Sequence, residues 1–176
     1  MANSTVTSYA EALFAIAAAE GDLSGVEEEL FQFAQAFRSN DELSSTLADQ
    51  SAPVSGRQQV VEDLLNGKAS TTTTALVSMM VGAGRAAELP DIVDALVERS
   101  AASRNKDVAT VRSVVDLTAD QKDRLATAIN TRTGKAVEIK VVIDPTVLGG
   151  AVTQIGDEII DGSVRRRLNQ LRESFR

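Results

Sequence analysis

The groups in this sequence that could do chemistry are few in kind. Histidine and cysteine are both absent, which removes thiol nucleophiles, disulfides, Cys/His zinc sites and the commonest general base. Any reaction would have to rest on carboxylates, lysine, serine, threonine or the single tyrosine. Among motifs, Gly82-Ala83-Gly84-Arg85-Ala86-Ala87 matches the glycine pattern of a dinucleotide-binding turn, and Asp107 stands near the spacing of a ribose-binding acid. That chemistry needs a full helix opening inside the turn, with its amides facing a pyrophosphate, and Pro90 interrupts the segment first. The plainer reading is a helix ended by glycine and followed by a loop.

Gly134-Lys135 has neither the upstream glycine nor the following hydroxyl of a phosphate loop. Asp157, Glu158 and Asp161 are acidic but follow no calcium-loop spacing. Arg165, Arg166 and Arg167 would point about 100° apart on a helix and cannot close on one phosphate together. No catalytic residue, metal site or cofactor site is therefore expected. A nucleotide-dependent enzyme built on Gly82 to Ala87 stands as the rival reading, and an unrelated helical adaptor with an appended α/β part as a third.

The formal charge of -7 is unevenly spread. Through Arg104 the chain has 15 acidic and 6 basic residues; from Asn105 onward it has 10 acidic and 12 basic. An acidic first part repels phosphate backbones and anionic headgroups, which argues against nucleic acid and against direct membrane adhesion. No apolar run is long enough to cross a membrane, and Ala10 to Ala19 lacks the basic start of a secretory signal. A soluble chain is expected.

The elements that must position these groups follow from periodicity. Thr5 to Glu20 is an alanine-rich helix with Val6, Tyr9, Leu13 and Ala17 on one stripe and Ala12, Ile16 and Ala19 on another. It is apolar nearly all round, so a second face is available for something else to cover. Ser24 with Glu27 reads as a capping box before Val26, Leu30, Phe33 and Phe37. A short acidic turn spans Asp41 to Ala48. Ser55 with Gln58 opens a further helix carrying Val60, Val61, Leu64 and Leu65 inward and ending at Gly67. Leu76, Met79, Met80 and Ala83 keep helical spacing, and Pro90 starts a helix with Ile92, Val93, Leu96 and Val97 inside.

After Ser100 the pattern changes. Val108 to Val115 reads as a strand, and Thr118 with Gln121 caps a helix that stops at Gly134. Val137, Ile139, Val141 and Ile143 alternate as a strand does. Short strands at Ala151 to Ile155 and Glu158 to Ile160 fold over the Gly156-Asp157 turn, and a terminal helix carries Val164, Leu168, Leu171 and Phe175. The expected fold is α plus α/β: a six-helix bundle over residues 1–104, then a small α/β domain over 105–176 with a short sheet and a terminal helix. Residues 101–106 would form the hinge.

Several of these stretches together resemble one known family. They are Ile143-Asp144-Pro145-Thr146-Val147-Leu148-Gly149-Gly150, Ile155-Gly156-Asp157, Ile160-Asp161-Gly162-Ser163-Val164-Arg165 and Arg167-Leu168. With Tyr9-Ala10-Glu11-Ala12-Leu13-Phe14 near the start, and Gly84-Arg85 and Leu89-Pro90 between, the chain resembles the F-type ATP synthase delta subunit, whose mitochondrial counterpart is the oligomycin-sensitivity-conferring protein. It departs at Ser8, Gln154 and Arg166, where the family often has arginine, arginine and glycine.

The resemblance implies a non-catalytic part of the peripheral stalk that holds the catalytic hexamer still against the rotor. It implies one copy per hetero-oligomeric complex, on the cytoplasmic face of a bacterial membrane. Two docking sites come with it by position. The N-terminal helix of an alpha subunit would lie against Tyr9, Ala12, Leu13 and Ile16 of the first helix and Leu76, Met79 and Met80 of the fifth, although core is the better reading for Leu13 and Leu76. The C-terminal ends of the b subunits would meet Val164, Leu168 and Leu171. Gly149, Gly150, Gly156, Asp157, Asp161 and Gly162 would make turns.

Overall fold

The computed structural model describes residues 4–147 and 149–162. They fall into two compact units divided between Ser100 and Ala101, where the pattern of the sequence changes, while the domain boundary expected from the sequence falls after Arg104.

The first unit is helical: α1 (Ser4–Ala19), α2 (Leu23–Ser39), α3 (Asp41–Ala48), α4 (Val54–Leu65), α5 (Thr71–Gly82) and most of α6 (Leu89–Ser103), with one 3-10 turn at Ala86–Glu88. α1 buries Val6, Ala10, Leu13 and Ala17, spaced four, three and four apart, and leaves Ala12, Ile16 and Ala19 outside. Its apolar perimeter therefore resolves into one buried and one open face. α2 buries Val26, Leu30, Phe33 and Phe37 as the spacing predicts, and α6 buries Ile92, Val93, Leu96 and Val97.

The helix starts differ from the sequence reading in three places. α2 is capped by Asp22, whose carboxylate accepts from the Gly25 N–H at 3.0 Å, and not by Ser24; Glu27 is then free to turn inward, where the Ser100 hydroxyl donates to it at 2.5 Å. α4 begins at Val54 behind Pro53 with no side-chain cap, because Gln58 reaches across to the Ser78 carbonyl at 3.1 Å. The stretch read as an acidic turn is the two-turn helix α3, whose start is capped by Asn40. In α4 the buried positions are Arg57, Val61 and Leu65, while Val60 is exposed.

The second unit carries β1 (Asp107–Ser113), α7 (Ala119–Thr133), β2 (Val137–Ile143), β3 (Ala151–Ile155) and β4 (Glu158–Asp161). The sheet order is β2-β1-β3-β4, with β1 parallel to β2 and the other neighbours antiparallel. A parallel pair needs a crossover, and α7 supplies it. Its capping box is formed by Thr118 and Gln121, and it ends on left-handed Gly134, both where the sequence puts them. Ala109, Ile129, Val137 and Ile155 form the core, with Leu125, Ala126, Ile139 and Ile160 packed around it.

The turn residues divide by mechanism. Gly149 and Gly150 have positive φ. Gly156, at φ 54°, is the first central residue of the two-residue turn joining β3 to β4, a place where a side chain would be strained. Asp157 follows it in the turn, and Asp161 ends β4 opposite Val152. Gly162 has a different need: its N–H bonds the Ala151 carbonyl at 3.0 Å, and a β-carbon would press on that oxygen at 3.2 Å.

Candidate partner-binding surface

The segment Gly82 to Ala87 shows what the glycine motif is for. Val77 to Val81 belong to α5 and are helical, so no strand precedes the glycines. Gly84, at φ 72°, stands just beyond α5, and the Arg85 N–H reaches back to the Met80 carbonyl at 2.9 Å. This is a glycine-terminated helix end, and its exposed groups are carbonyls, which repel a phosphate. The dinucleotide reading fails on this geometry. Among the described residues no cluster of acidic side chains is placed to hold a metal.

What the first unit does present is unpartnered apolar surface on two helices. On α1, Ala12 and Ile16 face out, Ile16 being 38% exposed. On α5 and its C-cap residue, Ala75, Met79 and Ala83 make an outward stripe four residues apart, and Met79 is 41% exposed. Tyr9 is half-buried and lies against Arg85, so α1 comes near the segment that follows α5. The bond from Arg85 to Glu88 at 2.7 Å, and Tyr9 beside it, hold the guanidinium pKa above its ordinary value. On the α6 side, Arg99 stacks 4.5 Å over the Phe14 ring and bonds Glu11 at 2.9 Å, closing that flank of α1.

The seven residues assigned to the alpha-helix groove therefore do not all lie on the surface. Ala12, Ile16 and Met79 are exposed and Tyr9 is partly so, whereas Leu13, Leu76 and Met80 are in the core. Helical spacing alone does not say which of these faces is covered: Met79 and Met80 are adjacent and equally apolar, about 100° apart around α5, and one is exposed while the other is buried. Val164, Leu168 and Leu171 lie outside the described residues.

Two side chains that sequence reasoning passed over set the position of α5. Glu29 of α2 receives the Ser70 N–H at 2.9 Å, the Ser70 hydroxyl at 2.7 Å and the Thr73 hydroxyl at 2.6 Å, which ties α2 to the start of α5. Burial works to raise the Glu29 pKa, but the bonds from Thr73 and Ser70 outweigh it and hold the carboxyl below its usual value. At the other end Arg57, only 4% exposed, donates through Nη1 to the Leu47 carbonyl at 3.2 Å and the Val81 carbonyl at 3.3 Å. Both acceptors lie in the last turns of their helices, α3 and α5, where partial negative charge collects. The signal was present: Arg57 stands four residues before Val61 and eight before Leu65, on the inward face of α4.

Residues 6–175 match the family model described as the ATP synthase delta (OSCP) subunit. The chain belongs to that family. Among curated relatives, the ATP synthase subunit delta of Rhodococcus opacus is 37% identical over 174 residues, covering 99% of this chain and 63% of the relative. That of Nocardia farcinica is 37% identical over 165 residues, covering 94% and 61%. The chain thus spans about three fifths of the length of these delta-subunit relatives. Among solved structures, a chain of the cryo-EM structure of the Toxoplasma gondii mitochondrial ATP synthase hexamer superposes with a TM-score of 0.57 at 22% identity, over 97% of this chain and 96% of that one. That likeness is one of fold. The mixed architecture of helices and a small sheet is shared with an ATP synthase component, and among the described residues no helix is long and apolar enough to cross a membrane.

Proposed function

We propose that this chain is a non-catalytic stator subunit of an F-type ATP synthase, joining the catalytic alpha/beta hexamer to the b subunits and resisting rotor torque during proton-driven ATP synthesis. The observation that carries the reading is the family match across residues 6–175. In this role the helices before β1 act as a six-helix bundle with its own docking face, and the α/β part serves as a separate module. One copy sits on the cytoplasmic face of a bacterial membrane as a peripheral component of the complex. The role needs no nucleophile, base or metal; it needs interfaces that release slowly.

The N-terminal helix of an alpha subunit lies along the open faces of α1 and α5. Ala12 permits close approach, Ile16 and Met79 supply apolar area, and methionine adapts to the shape laid on it. Leu13, Leu76 and Met80 support this face from within the core. The ends of the b subunits meet the C-terminal part at Val164, Leu168 and Leu171.

Titrating the chain calorimetrically with a synthetic peptide of the alpha-subunit N-terminus from the same organism tests the reading. Saturable binding is expected, with Met79→Asp weakening it by at least about tenfold, because a carboxylate in a dry contact loses its water. Met79 is exposed in the free chain, so the variant keeps its fold. Absence of binding, or binding indifferent to Met79→Asp, refutes the docking face.

A further inference from the structure

Beside the outward stripe of α5 lies an open cleft of about 550 Å³ between α4 and α5. Gln59, Glu62 and Asp63 form its α4 wall, and Thr74, Ala75 and Ser78 its α5 wall. Ala75 belongs both to this wall and to the exposed Ala75–Met79 stripe, so the cleft is continuous with the proposed docking face.

Its charge is one-sided. The Glu62 carboxylate makes no hydrogen bond or ion pair among the described residues, and Asp63 receives only the neutral amide of Gln59, at 3.0 Å. The cations of the first unit are engaged elsewhere: Arg38 with Asp94, Arg85 with Glu88, Arg99 with Glu11, and Arg57 in the interior. Lys68 does not line the cleft. Two uncompensated carboxylates select for positive charge on the surface laid against them.

We propose that the helix docked on α1 and α5 carries lysine or arginine along the edge that faces α4, where Glu62 and Asp63 receive the cations. This rests on the docking face proposed above and adds the partner's charge pattern and its rotation about its own axis. An apolar stripe alone lets a helix slide or roll; a charged flank on one side fixes which edge lies toward α4.

The test uses the full chain and the alpha-subunit N-terminal peptide at low and high salt. Glu62→Gln combined with Asp63→Asn weakens binding about threefold to tenfold at low salt, as expected for two exposed ion pairs, and flattens the salt dependence. The double reversal Glu62→Lys, Asp63→Lys weakens it further. Circular dichroism checks that the variants remain folded. If the peptide binds through Met79 while both double variants leave its Kd and salt dependence unchanged, the charge pattern is wrong and the docking face stands. If the peptide does not bind, or Met79→Asp has no effect, the docking face fails and takes the charge pattern with it.

Discussion

Replacing Arg57 by methionine sets two large terms against each other. The guanidinium is buried and makes no ion pair among the described residues, although the Asp49 carboxylate feels its charge, and its Nε makes no hydrogen bond. Desolvating such a charge costs several kcal/mol, and an apolar isostere sometimes wins. Against this, two helix ends each concentrate about half a negative charge at their carbonyls, and one cation bridges them. The acceptors are not equivalent. The Val81 carbonyl keeps the Gly84 N–H at 3.0 Å, whereas the Leu47 carbonyl has no backbone donor among the described residues. Arg57→Met therefore strands one buried acceptor, worth about 1–3 kcal/mol, and loses one charge-assisted bond from the other. The relief from burying no charge offsets part of that, so the net expectation is a loss of about 1–3 kcal/mol. In urea this lowers the unfolding midpoint by about 1–2 M at unchanged slope. Tyr9 is the single tyrosine and tryptophan is absent, so tyrosine emission reports on the first unit alone. A midpoint for Arg57→Met equal to or above that of the parent would mean that desolvation dominates and Arg57 does not clip α3 to α5.

Two further expectations concern Glu29 and Gly134. The Glu29 carboxyl has a lowered pKa in the folded chain, so its contribution is complete above the ordinary carboxyl pKa and is lost as pH falls through the lower folded value. Glu29→Gln should be less stable than the parent at neutral pH, with the gap closing in acid below about pH 4.5; a gap that stays constant in urea midpoints from neutral to acid contradicts this. Gly134→Ala places a β-carbon at φ 72° with nothing within 4 Å, so strain alone is felt, and a loss of about 1 kcal/mol in chemical denaturation of the second unit is expected. No change there would mean that the turn after α7 relaxes without cost.

Much of the architecture was legible because local rules suffice for it. The capping box at Thr118, the αL stop at Gly134, the alternation from Val137 to Ile143 and the turn at Gly156-Asp157 each involve residues close in sequence. Capping was misread where a tertiary contact competed for the side chain: Glu27 turned inward to Ser100 and Gln58 went to the Ser78 carbonyl, leaving Asp22 and Pro53 at the helix starts. Arg57 and Glu29 escaped notice because residue type suggested surface while their acceptors and donors lie 10 or more positions away along the chain.

By itself the sequence determined that thiol and imidazole chemistry is lacking, most of the order of helices and strands, and the family, since composition, periodicity and a long run of matching residues need no coordinates. Only tertiary structure decided which apolar residues are left over. An alanine-rich helix can bury any of its faces, and only the assembled unit shows Leu13 inward and Ile16 outside. The same holds in α5, where Met80 is in the core and Met79 faces out. Burial depends on what the neighbouring elements cover, and that information is spread over the whole chain.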